Sequence, residues 1–484
     1  MRDKFELQDY EPIRPSRSQR HLSSVETEDR APRIRAVERV VIVDKPARVN
    51  PPRRRISETR KESSRLSQLE QTQPSPNGAL KHGHSLSYLG LFVFTFLVYV
   101  RPYELFPSLA WLSRSALIVA IATLVVFIPT QLGLENRITA WPREVRLAVA
   151  LLLTGLLSIP LALEPARAFQ SFVDFLKVIV MFIVMVNVVR TEKRLRRLIL
   201  LVLLVSCVLS VAALNDYAQG NLVMAGSRIA GLIGGLFSNP NDLALHLVTM
   251  IPISLSLLLA SRGALKKVAY LGCSLLMMIG LVATFSRAGF LGFVCVLAFL
   301  VWKLARRNRV LFGAVALTVV VATVAFAPTA YRSRLATTRD DSAVARTDDL
   351  KRSILVTARH PLFGVGMDNY ILYSNTNHAT HNAYTQVASE MGLVALLIYV
   401  AFLFGSFKGL RRIEQATRKA GRRPPTYYLA IGFQASLVGY MVVSLFASVA
   451  YQWYVYYLVA YAICLQRLAS LETDSTQKPR PVSE

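Results

Sequence analysis

Residues 196–214 read RRLILLVLLVSCVLSVAAL, and this run decides the fold class. A helix needs about 20 predominantly apolar residues to cross the hydrocarbon core of a bilayer, which is roughly 30 Å thick. Similar runs recur almost without pause after residue 85, and 53% of the 484 residues are hydrophobic. A soluble protein of this length would not string its apolar residues together in this way. The sequence therefore predicts an all-α fold, a polytopic membrane helical bundle.

Twelve membrane-spanning helices are predicted from these runs. They lie near residues 86–100, 115–133, 145–163, 169–189, 196–214, 240–260, 268–285, 288–303, 310–327, 383–404, 427–446 and 449–466. Residues 1–84 are rich in Arg, Ser, Pro and Glu, and they contain too little apolar area to offset the entropy of folding. We therefore predict a disordered basic tail at 1–84, a transmembrane domain at 85–466 and a short second tail at 467–484.

The distribution of charge predicts the topology. The formal net charge is +26, and the basic residues of the membrane part lie in short clusters between the apolar runs. If the amino-terminal tail is cytoplasmic, five successive inner loops are basic. They contain Arg137/Arg143/Arg146, Arg190/Lys193/Arg194/Arg196/Arg197, Arg262/Lys266/Lys267, Lys303/Arg306/Arg307/Arg309 and Lys408/Arg411/Arg412/Arg418/Lys419/Arg422/Arg423. Because cytoplasmic loops carry an excess of Lys and Arg, both termini are predicted to be cytoplasmic. Membrane lipids are the expected partners of the basic tail, and nucleic acid is not.

Two predicted outer segments are too long to be simple turns. They are Asn215–Asn239 and the large loop at 328–382. Loops of this length in a compact protein usually carry function. The four cysteines lie inside apolar runs without metal-ligand spacing, which indicates buried apolar residues.

The first outer segment contains a lone arginine in a glycine-rich, mostly apolar stretch. Arg228 lies in Gly226-Ser227-Arg228-Ile229-Ala230-Gly231 and has no obvious local partner for its charge. Further on, Asn239 is suited to cap the sixth span, with Pro240 in the first helical position and Asp242 in the first turn. For the Asn-Pro-Asn-Asp part alone, a well-capped helix start is the simpler interpretation.

Arg287 lies at the tight outer turn between the seventh and eighth spans, in Phe285-Ser286-Arg287-Ala288-Gly289-Phe290-Leu291. One interpretation is an arginine that extends its charged end to the membrane interface. Positive-inside bias disfavours arginine on this side, however, and ionisable groups at membrane depth are usually functional. The functional interpretation is the better one.

His381 precedes the tenth span, where Asn382 is a plausible helix cap. The positive end of a helix disfavours imidazolium, so a neutral imidazole is expected there, able to accept a proton near neutral pH. Taken alone, an interfacial histidine of this kind more often caps a helix or packs against its neighbours than takes part in catalysis. A zinc site would use His378, His381 and a third ligand, but the nearby Asp368 belongs to no metal-binding pattern.

Together, these groups place two arginines and a candidate base on one side of the membrane. Two guanidinium groups bind a diphosphate bidentately and keep their charge at any working pH. A neutral histidine beside them can deprotonate an attacking hydroxyl. The combination of Arg228, Arg287 and His381 suits displacement of a lipid-linked diphosphate.

Four short motifs in this order resemble those of the O-antigen ligase and O-antigen polymerase superfamily. They are Arg228 with Gly231 and Phe237-Ser238-Asn239-Pro240-Asn241, the Arg-x-x-x-Leu pattern from Arg287 to Leu291, the Pro-x-x-Gly-x-Gly pattern in Pro361–Gly366, and His381 followed by Gly392. The resemblance covers roughly residues 200–405. The long basic tail departs from the usual family pattern, which leaves the subfamily open.

The resemblance implies a bacterial inner-membrane glycosyltransferase with a periplasmic active site under the large loop. Its donor would be a glycan on undecaprenyl diphosphate. Arg228 and Arg287 would bind the diphosphate, Asn239 and Asn382 would assist in substrate binding, and His381 would activate the acceptor hydroxyl. Neither a metal nor another cofactor is expected.

Three acceptors remain open: lipid A core (a ligase), a growing polysaccharide (a polymerase) or a protein hydroxyl (an O-oligosaccharyltransferase). A secondary transporter is the alternative from another class, since twelve helices also suit one. It predicts ionisable groups near the bilayer midplane and two similar halves. Lys177 and His246 lie within spans, but the sequence contains no internal repeat.

Overall fold

The computed structural model describes residues 83–221, 237, 239–304, 309–325, 329, 332, 341–374, 378–421 and 423–477, all within one compact unit, Pro74–Glu484. The predicted tail, apart from Gly83 and His84, lies outside the described residues, as do residues 478–484. Helices lie at all twelve predicted span positions. The α-helices of nine residues or more are α1 Ser85–Val100, α2 Ser115–Glu135, α3 Arg143–Ser158, α4 Pro165–Val188, α5 Glu192–Ala218, α6 Pro240–Ala260, α7 Ala264–Ala283, α8 Arg287–Leu304, α9 Arg309–Ala325, α10 Asp341–Arg359, α11 Ala383–Met391, α12 Leu393–Lys419, α13 Pro425–Val443 and α14 Trp453–Gln477.

The fold is an all-α membrane bundle, as the apolar runs predict. Among the described residues, ten helical segments are long and apolar enough to cross a membrane, and the regular structure contains no strand. Helices α9 and α14, at the ninth and twelfth predicted spans, are not among these ten, so the count of twelve spans stays a prediction.

Helices α6 and α13 form the centre of the bundle, and α2 lies at its periphery. About three quarters of the apolar stretch of α6 is buried (78%), against 17% for the segment containing α2. Small residues bring the two central helices close together: Gly432 lies against Ser256, and the Ser436 hydroxyl donates to the Thr249 carbonyl at 2.6 Å. A well-packed centre of this kind fixes the relative positions of the ends of these two helices.

The tenth predicted span, 383–404, is wrong as a single helix. The chain forms α11 up to Met391, and α12 begins at Leu393. Gly392 interrupts the helix with φ 92° and ψ 173°, a conformation that is essentially restricted to glycine. Its amide still donates to the Ala388 carbonyl, which closes α11. The short α11 is therefore a separate element that can be oriented independently of α12.

The large loop contains a helix that the sequence analysis did not predict. Helix α10 has too many charges to register as an apolar run, and it packs against α11. One face of α10 is anchored to the following chain. The Tyr370 hydroxyl donates to the Asp349 carbonyl (2.8 Å), and the Ser374 hydroxyl donates to the Asp349 carboxylate (3.1 Å). Arg352 donates to the Tyr373 carbonyl at 2.7 Å. The long loop is thus an ordered structure over residues 341–374.

A buried ion pair joins three helices at the end of α8 that is opposite Arg287. The Lys303 ammonium on α8 lies 2.6 Å from the Glu414 carboxylate on α12, and Gln434 on α13 donates to the same carboxylate at 3.0 Å. The two charged side chains are only 7% and 5% exposed. Removing one partner from such a pair leaves an uncompensated buried charge.

We expect Glu414→Ala to lower the free energy of unfolding by about 3–5 kcal/mol, because Lys303 then stays buried without its counter-charge. Thermal unfolding in detergent is the measurement. Asp174→Ala is the matched control, since the Asp174–Lys177 pair is 60% and 44% exposed and should contribute only about 0–1 kcal/mol. Equal melting temperatures for the two variants would contradict this account of the ion pair.

Candidate active site

A cavity of about 340 Å³ lies between the start of α8, the loop helix α10, the segment before α11 and the turn that follows α13. Its polar lining consists of Arg287, Arg346, Thr347, Thr380, His381 and Asn382. Leucine, alanine and phenylalanine side chains complete the wall. A cavity with apolar walls and a few convergent polar groups is the usual form of a small-molecule site.

Arg287 is placed by a tight turn that its neighbours hold in shape. Phe285 adopts a positive φ of 53°, and the Ser286 hydroxyl accepts from the Gly289 amide at 3.2 Å, which caps α8. The same hydroxyl donates to the Asn241 side chain at 2.9 Å. The start of α8 is thereby tied to the start of α6, and Arg287 projects half-buried from a defined backbone position.

His381 is placed by the cap of α11. The Asn382 side chain accepts from the amides of Tyr384 (2.9 Å) and Thr385 (3.1 Å), which confirms the predicted cap. The Thr380 hydroxyl lies 3.1 Å from the Ser448 hydroxyl and links this segment to the turn before α14. His381 itself has a positive φ of 52° and is half-buried. A residue in this strained conformation persists only when its surroundings determine it.

The environment of His381 lowers the pKa of its imidazole below the usual 6.5. Burial is the largest cause, and the positive charge of Arg346 is the next. Asp349 opposes the shift, and His378 adds to it. The direction agrees with the sequence analysis, but the helix terminus named there is not the main cause. His381 is neutral at pH 7 and can accept a proton.

Glycines in the two downstream motifs hold α11 by close backbone contact. The amides of Val365 and Gly366 donate to the carbonyls of Ser389 and Glu390, both at 2.9 Å, and the Leu393 amide donates to the Pro361 carbonyl at 2.8 Å. A Cβ atom at Gly364 would collide with the backbone of Glu390, and one at Gly392 would collide with the backbone of Leu362. These motifs therefore have a positioning role: they fix the short helix that His381 precedes.

We expect Gly392→Ala to destabilise the protein by at least about 1–3 kcal/mol, because alanine is strained at this φ and ψ and the Leu362 backbone must also move. The melting temperature in detergent is the measurement. Gly272→Ala on α7 is the matched control, since nothing lies within 4 Å of its Cβ position. A wild-type melting temperature for Gly392→Ala would show that the close approach of Gly392 to the Leu362 backbone does not contribute to stability.

The structure brings together only some of the predicted site residues. Arg287, His381 and Asn382 line the same cavity. Asn239 caps α6, accepting from the Asn241 amide at 2.9 Å, and it is not part of the cavity lining. Arg228 lies outside the described residues. The predicted helix start at Asn239-Pro240-Asn241 is thus confirmed. The hydrogen bond between the Ser286 hydroxyl and the Asn241 side chain links this helix start to the site.

Arg346 is a cavity residue that the sequence analysis did not identify. It lies on α10 beside Thr347 and one turn before Leu350, which line the cavity with it. Asp349 lies on the anchored side of the same helix. Reading residues 341–359 as an amphipathic helix, with one face toward the protein, would have placed Arg346, Thr347 and Leu350 together.

The predicted absence of a metal stays a prediction. Among the residues that the structure describes, no three His, Cys, Asp or Glu side chains form a group suited to a metal ion. The rings of His378 and His381 have centroids 6.0 Å apart. A zinc ligand set built on this pair would still need its third member.

A second cavity, of about 390 Å³, lies between α1, α2, α4 and Trp453. Its lining is mostly apolar, with Arg101 and Lys177 as the charged groups. Within the described lining it contains no histidine or carboxylate that could serve as a base. The cavity with Arg287 and His381 is therefore the better candidate for chemistry.

Comparison with known families identifies the class of this site. The family model described as O-antigen ligase matches residues 272–400, which include Arg287, the glycine motif, His381 and Gly392. Residues 272–400 thus form an O-antigen ligase domain, which confirms the resemblance for the three motifs that this range contains. The protein is therefore a polytopic membrane protein that contains an O-antigen ligase domain, and this similarity indicates activity of glycosyltransferase type. No curated protein matches the chain.

Proposed function

We propose that the protein is an inverting glycan transferase that moves a glycan from an undecaprenyl-diphosphate carrier to an acceptor hydroxyl at the periplasmic face of the inner membrane. The observation that carries this proposal is the shared cavity of Arg287 and His381 within the O-antigen ligase domain. A permanent cation and a neutral base at one site are the groups that displacement of a diphosphate requires.

In this mechanism, His381 accepts the proton of the acceptor hydroxyl as its oxygen attacks the anomeric carbon of the donor glycan. The new carbon–oxygen bond forms while the bond from the anomeric carbon to the diphosphate breaks. The electron pair of that bond leaves with the diphosphate, whose added negative charge the Arg287 guanidinium stabilises. Arg228 is proposed as the second diphosphate ligand, with Asn239 and Asn382 as supporting polar groups. No metal step is needed, because the arginines neutralise the leaving group.

The proposed orientation rests on the distribution of charge between the two ends of the bundle. Arg287 is at one end of α8, and Lys303 is at the other end, next to the basic cluster of that loop. With basic loops in the cytoplasm, the cavity opens toward the periplasm and both termini are cytoplasmic. A lipid-linked donor with its glycan in the periplasm would then reach Arg287 from the outer leaflet.

The acceptor is tested by analysing the surface glycans of a deletion strain. A ligase predicts loss of glycan on lipid A core, and a polymerase predicts accumulation of single repeats. A protein O-oligosaccharyltransferase, which uses the same chemistry, predicts loss of protein glycosylation. Unchanged glycans of all three kinds would contradict the proposed function.

The lowered pKa of His381 determines the acid limb of the pH profile. The base must be neutral, so transfer falls only as the pH drops through the pKa of His381, which lies below 6.5. We therefore expect kcat/KM to reach half of its plateau at a pH below the ordinary imidazole value of about 6.5. A half-maximal rate at a pH above about 6.5 would contradict the assignment of His381 as the base.

A further inference from the structure

A polar stripe runs along one face of the membrane helix α4. It consists of Gln170, Asp174 and Lys177, which follow one another at intervals of four and three residues and therefore lie on one side of the helix. The Lys177 ammonium lies 2.7 Å from the Asp174 carboxylate, and the Gln170 amide donates to the same carboxylate at 3.5 Å. All three side chains are exposed. The proposed function makes no use of them.

The depth of this stripe in the membrane is unusual. Lys177 lies halfway along the 24 residues of α4, roughly 18 Å of helix from its first residue, Pro165. It is therefore near the middle of a hydrocarbon core that is about 30 Å thick. Ionisable groups at that depth normally face the interior of a bundle or a cavity, because contact with acyl chains is costly. The exposed stripe therefore needs a polar partner from outside the chain.

The second cavity, of about 390 Å³, lies directly beside this stripe. Lys177 is part of its lining, together with Arg101 at the end of α1. Aliphatic side chains from α1, α2 and α4 form most of the wall, and Tyr103 and Trp453 add aromatic rings. In the described structure it shares no lining residue with the candidate active site. An apolar cavity between membrane helices suits a hydrocarbon chain and not water.

The charges at this cavity are balanced. Arg101 pairs with Glu104 at 2.7 Å, just as Lys177 pairs with Asp174. A diphosphate is a poor match for two cations that already have carboxylate partners. A zwitterionic headgroup is a good match, because its phosphate can accept from a cation while its ammonium donates to the carboxylate beside that cation.

The lining also distinguishes a lipid from a second protein helix. Membrane helices pack closely where small residues let their backbones approach each other. The α2 wall of this cavity contains the large aliphatic side chains Leu117, Ile121 and Leu124. Large side chains around an open volume suit a flexible acyl chain better than the backbone of another helix.

We propose that the second cavity and the polar stripe of α4 form a binding site for a zwitterionic phospholipid with a primary ammonium group, such as phosphatidylethanolamine. An acyl chain fills the cavity between α1, α2 and α4. The headgroup contacts the ion pairs that border the cavity, and the stripe lets it lie deeper than the headgroups of the surrounding bilayer. This site is separate from glycan transfer and does not depend on the proposed function.

Native mass spectrometry of the detergent-purified full chain tests this inference. The probes are phosphatidylethanolamine, phosphatidylcholine and phosphatidylglycerol with identical acyl chains. Phosphatidylcholine has the same charges without an N–H donor, and phosphatidylglycerol lacks the cation. We expect one retained phosphatidylethanolamine per chain and about tenfold weaker retention of the other two, the effect of one lost charge-assisted hydrogen bond. Equal retention of all three lipids, or a preference for phosphatidylglycerol, would overturn the inference.

Variants assign the bound lipid to this site. Ala120→Phe should abolish retention, because Ala120 lines the cavity and the larger side chain fills it without a change of charge. Ala122→Phe is the matched control, since Ala122 is exposed on the same helix and lies outside the lining. Lys177→Gln should weaken retention about tenfold. Arg114→Gln, at an exposed position outside the lining, should leave it unchanged.

Melting temperatures of the lipid-free variants show whether each of them folds. Wild-type retention of phosphatidylethanolamine by a folded Ala120→Phe variant would place the lipid elsewhere and overturn the inference. A second copy of the chain is the alternative occupant, and it predicts that Lys177→Cys forms a disulfide-linked dimer in membranes. The lipid site predicts no more dimer for this variant than for the wild type. A dimer specific to Lys177→Cys would overturn the inference in favour of the second copy.

Discussion

His381→Ala should reduce glycan transfer by about 10²–10⁴-fold while the protein accumulates normally in the membrane. The reason is the loss of the proton acceptor at the attacking hydroxyl. His381 lies at the start of the capped segment and not in the packed centre of the bundle, so the fold should tolerate its removal. The measurement is transfer by purified protein in lipid nanodiscs, with melting temperature recorded on the same samples.

His378→Ala is the matched control for this prediction. His378 neighbours His381, with ring centroids 6.0 Å apart, but it is exposed and not part of the cavity lining. A general base at His381 predicts that His378→Ala keeps most of the activity and that chelators have no effect. A metal held by both histidines predicts loss of activity in either variant and sensitivity to chelators. Full activity of His381→Ala would refute the proposed role.

Arg287→Ala should reduce transfer by about 10²–10³-fold, because the departing diphosphate loses a charge-assisted donor that acts most strongly in the transition state. Arg287→Lys should recover only part of the rate, since an ammonium group cannot reproduce the planar bidentate contact of a guanidinium. The measurement is a comparison of kcat and kcat/KM for a lipid-linked donor. Loss in both quantities indicates an interaction made in the transition state.

Arg359→Ala provides the control for general loss of positive charge near the site. Arg359 ends the loop helix α10, is exposed, and does not line the cavity. The Arg359→Ala variant should transfer glycan at nearly the wild-type rate. Equal losses in Arg287→Ala and Arg359→Ala would point to a diffuse electrostatic effect and not to a diphosphate contact.

Local sequence signals predicted most of the fold. Long apolar runs specify helices wherever they occur, and the caps at Asn239 and Asn382 depend only on the residues that follow them. The separation of two spans by Ser286 is likewise a local property. These features could be predicted because the membrane demands continuous apolar helices and because a cap is satisfied within one turn.

The features that were missed depend on contacts between distant parts of the chain. The break at Gly392 follows from its approach to the Leu362 backbone, which no local pattern reveals. Helix α10 is polar and is held in place by Tyr370 and Ser374, which follow it in the chain. The place of Arg346 in the cavity lining follows from that packing. The sequence could nominate Arg287 and His381, but only the folded chain places them in one cavity.

The most direct test of the account is a cryo-EM map of the protein in nanodiscs with undecaprenyl diphosphate. The account predicts density for the diphosphate in the cavity of Arg287 and His381, in contact with the Arg287 guanidinium, at the periplasmic end of the bundle. Diphosphate density in the other cavity, beside Arg101 and Lys177, or a cavity that opens to the cytoplasm, would contradict it.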